Sequence, residues 1–162
     1  MDLSHVQNIE IKAGIITVSS TRNEENDKSG IEIKNIFKNN NISIAYYKII
    51  PDSVEQIKKA CEEALLNSNC IVLNGGTGLT HDDVTIEAIT PLLEKKIDGF
   101  GEFFRMKSYE EIGTSALLSR AVAGINNKKV IFCIPGSTGA VKLAMDEIII
   151  PEIKHILTHA GK

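Results

Sequence analysis

Apolar positions along the chain follow two alternating periods. Residues 9–18 (IEIKAGIITV) form a β-branched run of strand type that ends in the polar loop SSTRNEENDKSG. Ile33, Ile36 and Phe37 then share one face at helical spacing. They predict a short helix over 31–40, with Asp27 or Ser29 near its start as the cap and Asn39-Asn40-Asn41 as the stop. Residues 42–50 (ISIAYYKII) return to strand and end at Pro51-Asp52. Val54, Ile57, Cys61, Ala64 and Leu65 recur by threes and fours, so 53–67 reads as an amphipathic helix with Ser53 and Gln56 as a capping box. The run 70–73 (CIVL) suits a central strand buried on both faces.

The next helix is predicted over 84–94, beside Asp82 and Asp83. In the mixed stretch 97–121, Phe100, Phe103 and Phe104 predict one short helix, and 112–121 a second. Residues 121–125 and 129–134 predict two strands across a tight turn at Asn126-Asn127. From Ser137 onward the pattern is helical, with a break at Pro151. Residues 1–8 are polar and unpatterned, a loose arm. Strands alternating with helices imply one three-layer α/β sandwich over 9–162 with a mostly parallel mixed sheet, in which the hairpin supplies antiparallel pairing.

Composition narrows the function. A chain of 162 residues, 43% hydrophobic, excludes two large domains. It buries roughly 70% of its unfolded surface, enough for a core without staples. Cys61, Cys70 and Cys133 lie scattered in apolar runs and read as buried free thiols of a reducing compartment. With no cationic leader and no apolar run near membrane-spanning length, a cytoplasmic location is expected. A net charge of −3, three arginines (Arg22, Arg105, Arg120) and no Trp argue against a broad nucleic-acid grip.

Ligands of open α/β sheets bind beyond the carboxyl ends of the strands, which directs attention to the loops there. Asn74-Gly75-Gly76-Thr77-Gly78 follows CIVL and precedes a helix. Its glycines let backbone N–H groups approach an anion, although a plain tight turn would use the same residues. Pro135-Gly136-Ser137-Thr138-Gly139 repeats the arrangement, with Ser137 equally suited to capping the helix that follows. Two such loops on one edge suit a ligand with phosphates at both ends, or two phosphorylated ligands side by side. Asp52 and Asp83 fall at the same edge if the strands are parallel. Each would serve as a helix cap, or the two would serve Mg²⁺, which takes one or two carboxylates plus phosphate oxygens. Ser19-Ser20-Thr21-Arg22 adds donors. His155 and His159, four apart with no further ligand evident, read as a surface feature. The residues thus reach a phosphate-handling, Mg²⁺-assisted site.

The run NGGTGLTHDDVTIEA (74–88) resembles the T-G-G-T-G-x-x-P-R-D-V-T-x-E-A signature of the molybdopterin adenylyltransferase family, the MogA/MoaB family of molybdenum cofactor biosynthesis. The likeness continues in order. The first loop carries Arg22, Asp27, Ser29 and Gly30; Pro51-Asp52 matches the acidic loop; GTSALLSRAVAG (113–124) matches G-x-S-x-x-x-S-R-x-x-x-G; and 134–137 matches L-P-G-S. GFGEFFR (99–105) resembles the MoaB branch in particular.

This resemblance implies the MogA/MoaB-like molybdopterin-binding fold, assembled as a homo-oligomer, trimer or hexamer. It implies Mg²⁺-dependent adenylylation of molybdopterin by ATP with release of pyrophosphate, and a molybdenum-insertion protein downstream. Carried over by position, Asp52 and Asp83 are the catalytic carboxylates, with Asp83 on the metal. Ser19, Gly75, Gly76, Thr77, Gly78, Gly136 and Ser137 hold ligand, and Ser119 and Arg120 line the pterin side. His81-Asp82 stands where the family pattern has Pro-Arg, exchanging a cation for an anion beside a polyphosphate. A non-catalytic pterin-binding or carrier protein is the alternative that this exchange motivates. An isolated domain of a molybdenum-insertion protein is a third, for whose extra domains the chain has no room.

Overall fold

The structure, a computed structural model, describes residues 4–162. Six strands form one sheet: β1 (Lys12–Val18), β2 (Ser43–Ile50), β3 (Cys70–Asn74), β4 (Lys95–Lys96), β5 (Val122–Asn126) and β6 (Lys129–Ile134), in the order β2-β1-β3-β6-β5-β4. β2, β1, β3 and β6 run parallel, while β5 is antiparallel to both β6 and β4. The helices are α1 (Lys28–Asn39), α2 (Val54–Leu65), α3 (Thr85–Ile89), α4 (Asp98–Ile112), α5 (Thr138–Ala144) and α6 (Ile150–Ala160).

β3 shows why the sandwich has three layers. Every one of its residues is buried, with Cys70 and Val72 facing one way and Ile71 and Leu73 the other. The first face packs against Ile33 and Phe37 of α1, Phe104 of α4, Val141 of α5 and Leu157 of α6. The second packs against Ile57, Cys61 and Ala64 of α2 and Ile86 and Ile89 of α3. Fully buried side chains such as Phe37 and Phe132 each contribute about 1.5–3 kcal/mol. The thiols are free and buried. Burial pushes Cys61 up to about 12, with Glu62 adding to the effect, and burial likewise raises Cys70 and Cys133.

Several local expectations hold: Asp27 caps α1 by accepting from Gly30 N, and Ser53 caps α2 by accepting from Gln56 N. Others are corrected. The first strand starts at Lys12 rather than at residue 9. The helix predicted over 84–94 is only five residues of α3 followed by a 3-10 turn, Thr90–Leu92, because Pro91 has no N–H to continue the ladder. Of the two short helices predicted in 97–121, the first is a 15-residue helix, α4, that runs on to Ile112, and the second, predicted over 112–121, is only a 3-10 stretch, Gly113–Leu118, entered at Gly113 (φ 64°). The hairpin turn is Asn127-Lys128, both at positive φ, one residue beyond the predicted pair. The break near Pro151 lies just before it, as a π-turn over Met145–Ile149. Within the arm predicted over 1–8, residues 1–3 lie outside the described residues, and Gln7 N donates to Thr158 Oγ1 of α6. Among the described residues, no helix is long and apolar enough to cross a membrane.

Candidate active site

Parallel pairing aligns the carboxyl ends of four strands. Thr17 is opposite Asn74, Val18 opposite Ile50, and Asn74 opposite Ile134. The chain leaves β1 toward β2 on one side and returns to β3 on the other, so the crevice forms at this switch point. The loops after these strands enclose a cleft of about 610 Å³. It brings together Ser19, Asp52, Gly75, Gly76, Thr77, Gly78, Asp83, Ser119, Arg120 and Gly136 from the sequence-predicted set, with Arg22 and Asp82 beside them. Ser137 is the exception. It is exposed, and its Oγ accepts from Ala140 N as the cap of α5 rather than lining the cleft.

The glycine loop lies close to its neighbours on several sides. Gly75 (φ 93°) presses against β1, where an added Cβ would lie 2.4 Å from Val18 O. Gly75 N donates to Ile134 O, and Thr85 fastens the loop by donating from Oγ1 to Gly75 O and from N to Gly76 O. Gly136 abuts the same loop, with its would-be Cβ 3.1 Å from Gly75 Cα. The two glycine loops therefore lie side by side, too close for a side chain on Gly136.

The carboxylates stand at the rim. Asp52 Oδ2 accepts from Ser20 Oγ (2.8 Å), and Asp83 Oδ2 accepts from Thr80 N (3.0 Å) and Thr80 Oγ1 (2.8 Å). Each aspartate is thus fixed through Oδ2. A Cβ on Gly78 would meet Asp83 Oδ2 at 2.6 Å, and one on Gly76 would meet Asp52 Oδ1 at 3.2 Å, so both carboxylates lie directly against the glycine loop. Two hard oxygen donors beside the glycine loop fit Mg²⁺ bound together with phosphate.

Arg120 acts on the loop itself. Its Nε donates to Thr77 O (2.8 Å), its Nη2 to Gly78 O (2.8 Å), and the fork grips Glu87 at 2.7 and 2.9 Å. The hydrogen bond from Arg120 holds the Glu87 carboxyl below its ordinary range. Beneath the loop runs a buried polar relay. Arg22 Nη1 donates to Ser29 Oγ (2.6 Å), Ser29 Oγ to Asn74 Oδ1 (2.7 Å), and Asn74 Nδ2 to Thr17 Oγ1 (3.0 Å). Thr17 Oγ1 and Tyr47 OH then donate to the fully buried Asp27 at 2.7 and 2.5 Å. Burial, followed by the bond to Asp27, raises the Tyr47 phenol. Sequence reasoning missed Glu87, Tyr47 and Thr85 as supports and Leu118 as cleft wall. Glu87 and Arg120 are 33 residues apart with no shared spacing that could have linked them.

Comparison with known proteins places this geometry in context. Residues 14–155 match the family described as "Probable molybdopterin binding domain". The chain is 49% identical over 159 residues to molybdenum cofactor biosynthesis protein B of Staphylococcus aureus, covering 94% of this chain and 93% of that one. It is 47% identical over 150 residues to the protein of the same name from Bacillus cereus, covering 91% and 89%. Among solved structures, the tungsten cofactor synthesizing protein MoaB from Pyrococcus furiosus superposes with a TM-score of 0.87 at 43% identity, covering 94% of this chain and 98% of that one.

Proposed function

This chain belongs to the molybdopterin-binding domain family of molybdenum cofactor biosynthesis, and from that premise we propose that it catalyses the Mg²⁺-dependent adenylylation of molybdopterin by ATP. An oxygen of the pterin's terminal phosphate attacks the α-phosphorus of ATP. A new P–O–P bond forms as the bond to the β-phosphate oxygen breaks, and pyrophosphate leaves. The attacking phosphate is already anionic at neutral pH, so no general base is required. What remains for the protein is to bring two anions together and neutralise their charge.

The observation that carries this reading is the close approach of two glycine loops in one cleft with two carboxylates at its rim. Gly75–Gly78 would cradle one phosphate chain and Gly136 the other, with Ser19 and Ser119 beside them. Asp83, aided by Asp52, would hold Mg²⁺, whose chemistry there is to neutralise polyphosphate charge. Asp82 in the cleft makes that neutralisation necessary, since three aspartates face Arg22 and an Arg120 already paired with Glu87. Arg120, which lines the cleft beside Ser119, would meet the pterin side while fixing the loop carbonyls. For assembly we propose a homo-oligomer, trimer or hexamer. It is supported by the exposed apolar side chains of Met106, Tyr109, Ile112, Leu117 and Leu118 along α4 and the 3-10 stretch after it.

Purified protein incubated with molybdopterin, ATP and Mg²⁺ is expected to yield adenylylated pterin and one pyrophosphate per product. Asp83→Asn is expected to abolish most turnover while the protein stays folded by circular dichroism. Full magnesium-dependent turnover in that variant would remove Asp83 from the metal. The anion at Asp82 favours a second reading, a pterin carrier. Pterin binding without product at saturating ATP would select it, and absence of both binding and product would overturn both.

A further inference from the structure

The amino-terminal segment and the last helix meet on the edge of the sheet opposite the cleft, and what they share is imidazole. His155 and His159, four residues apart, project from one face of α6. His5 lies across them, with ring centroids 5.1 Å from His155 and 5.4 Å from His159, while the two α6 rings are 4.9 Å apart. All three pairs meet edge-on. One ring nitrogen from each lies within 4.8 Å of the others, and His5 Nε2 and His155 Nε2 are separated by only 3.1 Å. Two nitrogens bound tetrahedrally at about 2.05 Å from one metal would be about 3.3 Å apart. The His5–His155 pair therefore already has the spacing of two ligands on one ion.

The surroundings match a ligand set as well. His155 Nδ1 meets Glu152 Oε2 at 3.0 Å, which favours the proton on Nδ1 and leaves the Nε2 lone pair facing the other rings. A carboxylate behind a ligating histidine is the usual support of such sites. Gln7 N donates to Thr158 Oγ1 at 3.0 Å, holding the arm that carries His5 in register with α6. The two α6 histidines also line a groove of about 750 Å³ with Glu94, Glu152 and Lys128, so a fourth coordination position is accessible to water.

We propose that His5, His155 and His159 form a three-histidine site for a divalent transition metal of the zinc class, which clasps the amino-terminal segment to the last helix. The donor chemistry separates it from the cleft. Imidazole nitrogens suit Zn²⁺, Ni²⁺ or Cu²⁺, whereas Mg²⁺ takes oxygen ligands, so the two ends of the sheet would select different ions. No electron transfer or bond rearrangement is involved.

Full-length protein without an affinity tag, titrated with Zn²⁺ in excess Mg²⁺ by calorimetry, is expected to bind one zinc per chain. Co²⁺ in its place is expected to give the intense visible absorption of a tetrahedral nitrogen site. His5→Ala, His155→Ala and His159→Ala should each weaken zinc binding more than tenfold, and Glu152→Gln should weaken it by about 10–100-fold. The far-UV spectrum should be unchanged throughout, since these side chains lie outside the core. No saturable zinc uptake by the unsubstituted chain at micromolar metal would overturn the proposal. So would a His5→Ala variant that binds as tightly as the unsubstituted chain, because the helix pair alone would then account for the metal.

Discussion

Gly76 and Gly139 both sit in glycine-rich loops after a buried strand, yet space and backbone angle separate them completely. Gly76 has φ 67°, and a Cβ there would lie 2.4 Å from Thr85 Oγ1 and 3.2 Å from Asp52 Oδ1. Gly139 has ordinary angles in the first turn of α5 and nothing within 4 Å of a Cβ. Gly76→Ala is therefore expected to destabilise the fold by about 1–3 kcal/mol and to displace the loop that Thr85 fastens. Gly139→Ala should be neutral or stabilise by up to about 1 kcal/mol. Urea unfolding of the two variants checks both, and equal losses would mean that the strain is not local to the first loop. The sequence could mark both loops as candidate cradles because glycine followed by a helix is visible in the text. Three glycines in four positions already make the first loop the stronger signal, but what enforces the difference is Val18, Asp52 and Thr85, which reach that loop only through the fold.

At the scale of elements, the strands were legible wherever burial on both faces leaves an uninterrupted apolar run, as in β3 and β6. β4 was not, because Lys95 and Lys96 are exposed edge residues whose only strand character is pairing with Ile125 and Gly124. Helix ends were set where backbone chemistry outranked periodicity: Pro91 cut α3, and Gly113 at φ 64° ended α4 and left only a 3-10 stretch beyond it. Gly101 is needed within α4 because a Cβ would approach Ala121 O at 2.5 Å. The β5–β6 turn offers a direct test of local conformation. Asn127 (φ 44°) and Lys128 (φ 64°) occupy left-handed angles, and a two-residue turn of this kind favours Asn-Gly. Lys128→Gly relieves the left-handed cost but adds freedom to the unfolded chain, so a net gain of about 0.5 kcal/mol is expected. That corresponds to a melting temperature higher by about 1–2 °C for a chain of this size. A fall on calorimetric melting would show that the Lys128 side chain makes a compensating contact.

For the whole molecule, the cleft was legible because parallel strands deliver their loops to one edge, so residues scattered from Ser19 to Gly136 had to converge. The histidine cluster was not, since nothing in the sequence of the arm says where it lies. The proposed assembly rests on exposed side chains beside the cleft. Leu117 is 83% exposed, Leu118 57% and Ile112 51%, three large apolar side chains within seven residues of chain. Leu118 also lines the cleft, and Ser119 and Arg120 follow it directly, so a neighbouring copy covering Leu117 would brace the segment that grips the glycine loop. Leu117→Asp is accordingly expected to convert a trimer or hexamer to monomer in sedimentation velocity, because burying an unpaired carboxylate in such an interface is far costlier than leaving it in water. Turnover should fall with the assembly and recover partly at high protein concentration, since the substitution touches none of the proposed ligand-binding residues. An unsubstituted chain that sediments as a monomer, or a variant that assembles unchanged, would locate the partner surface elsewhere and leave the apolar strip to another occupant.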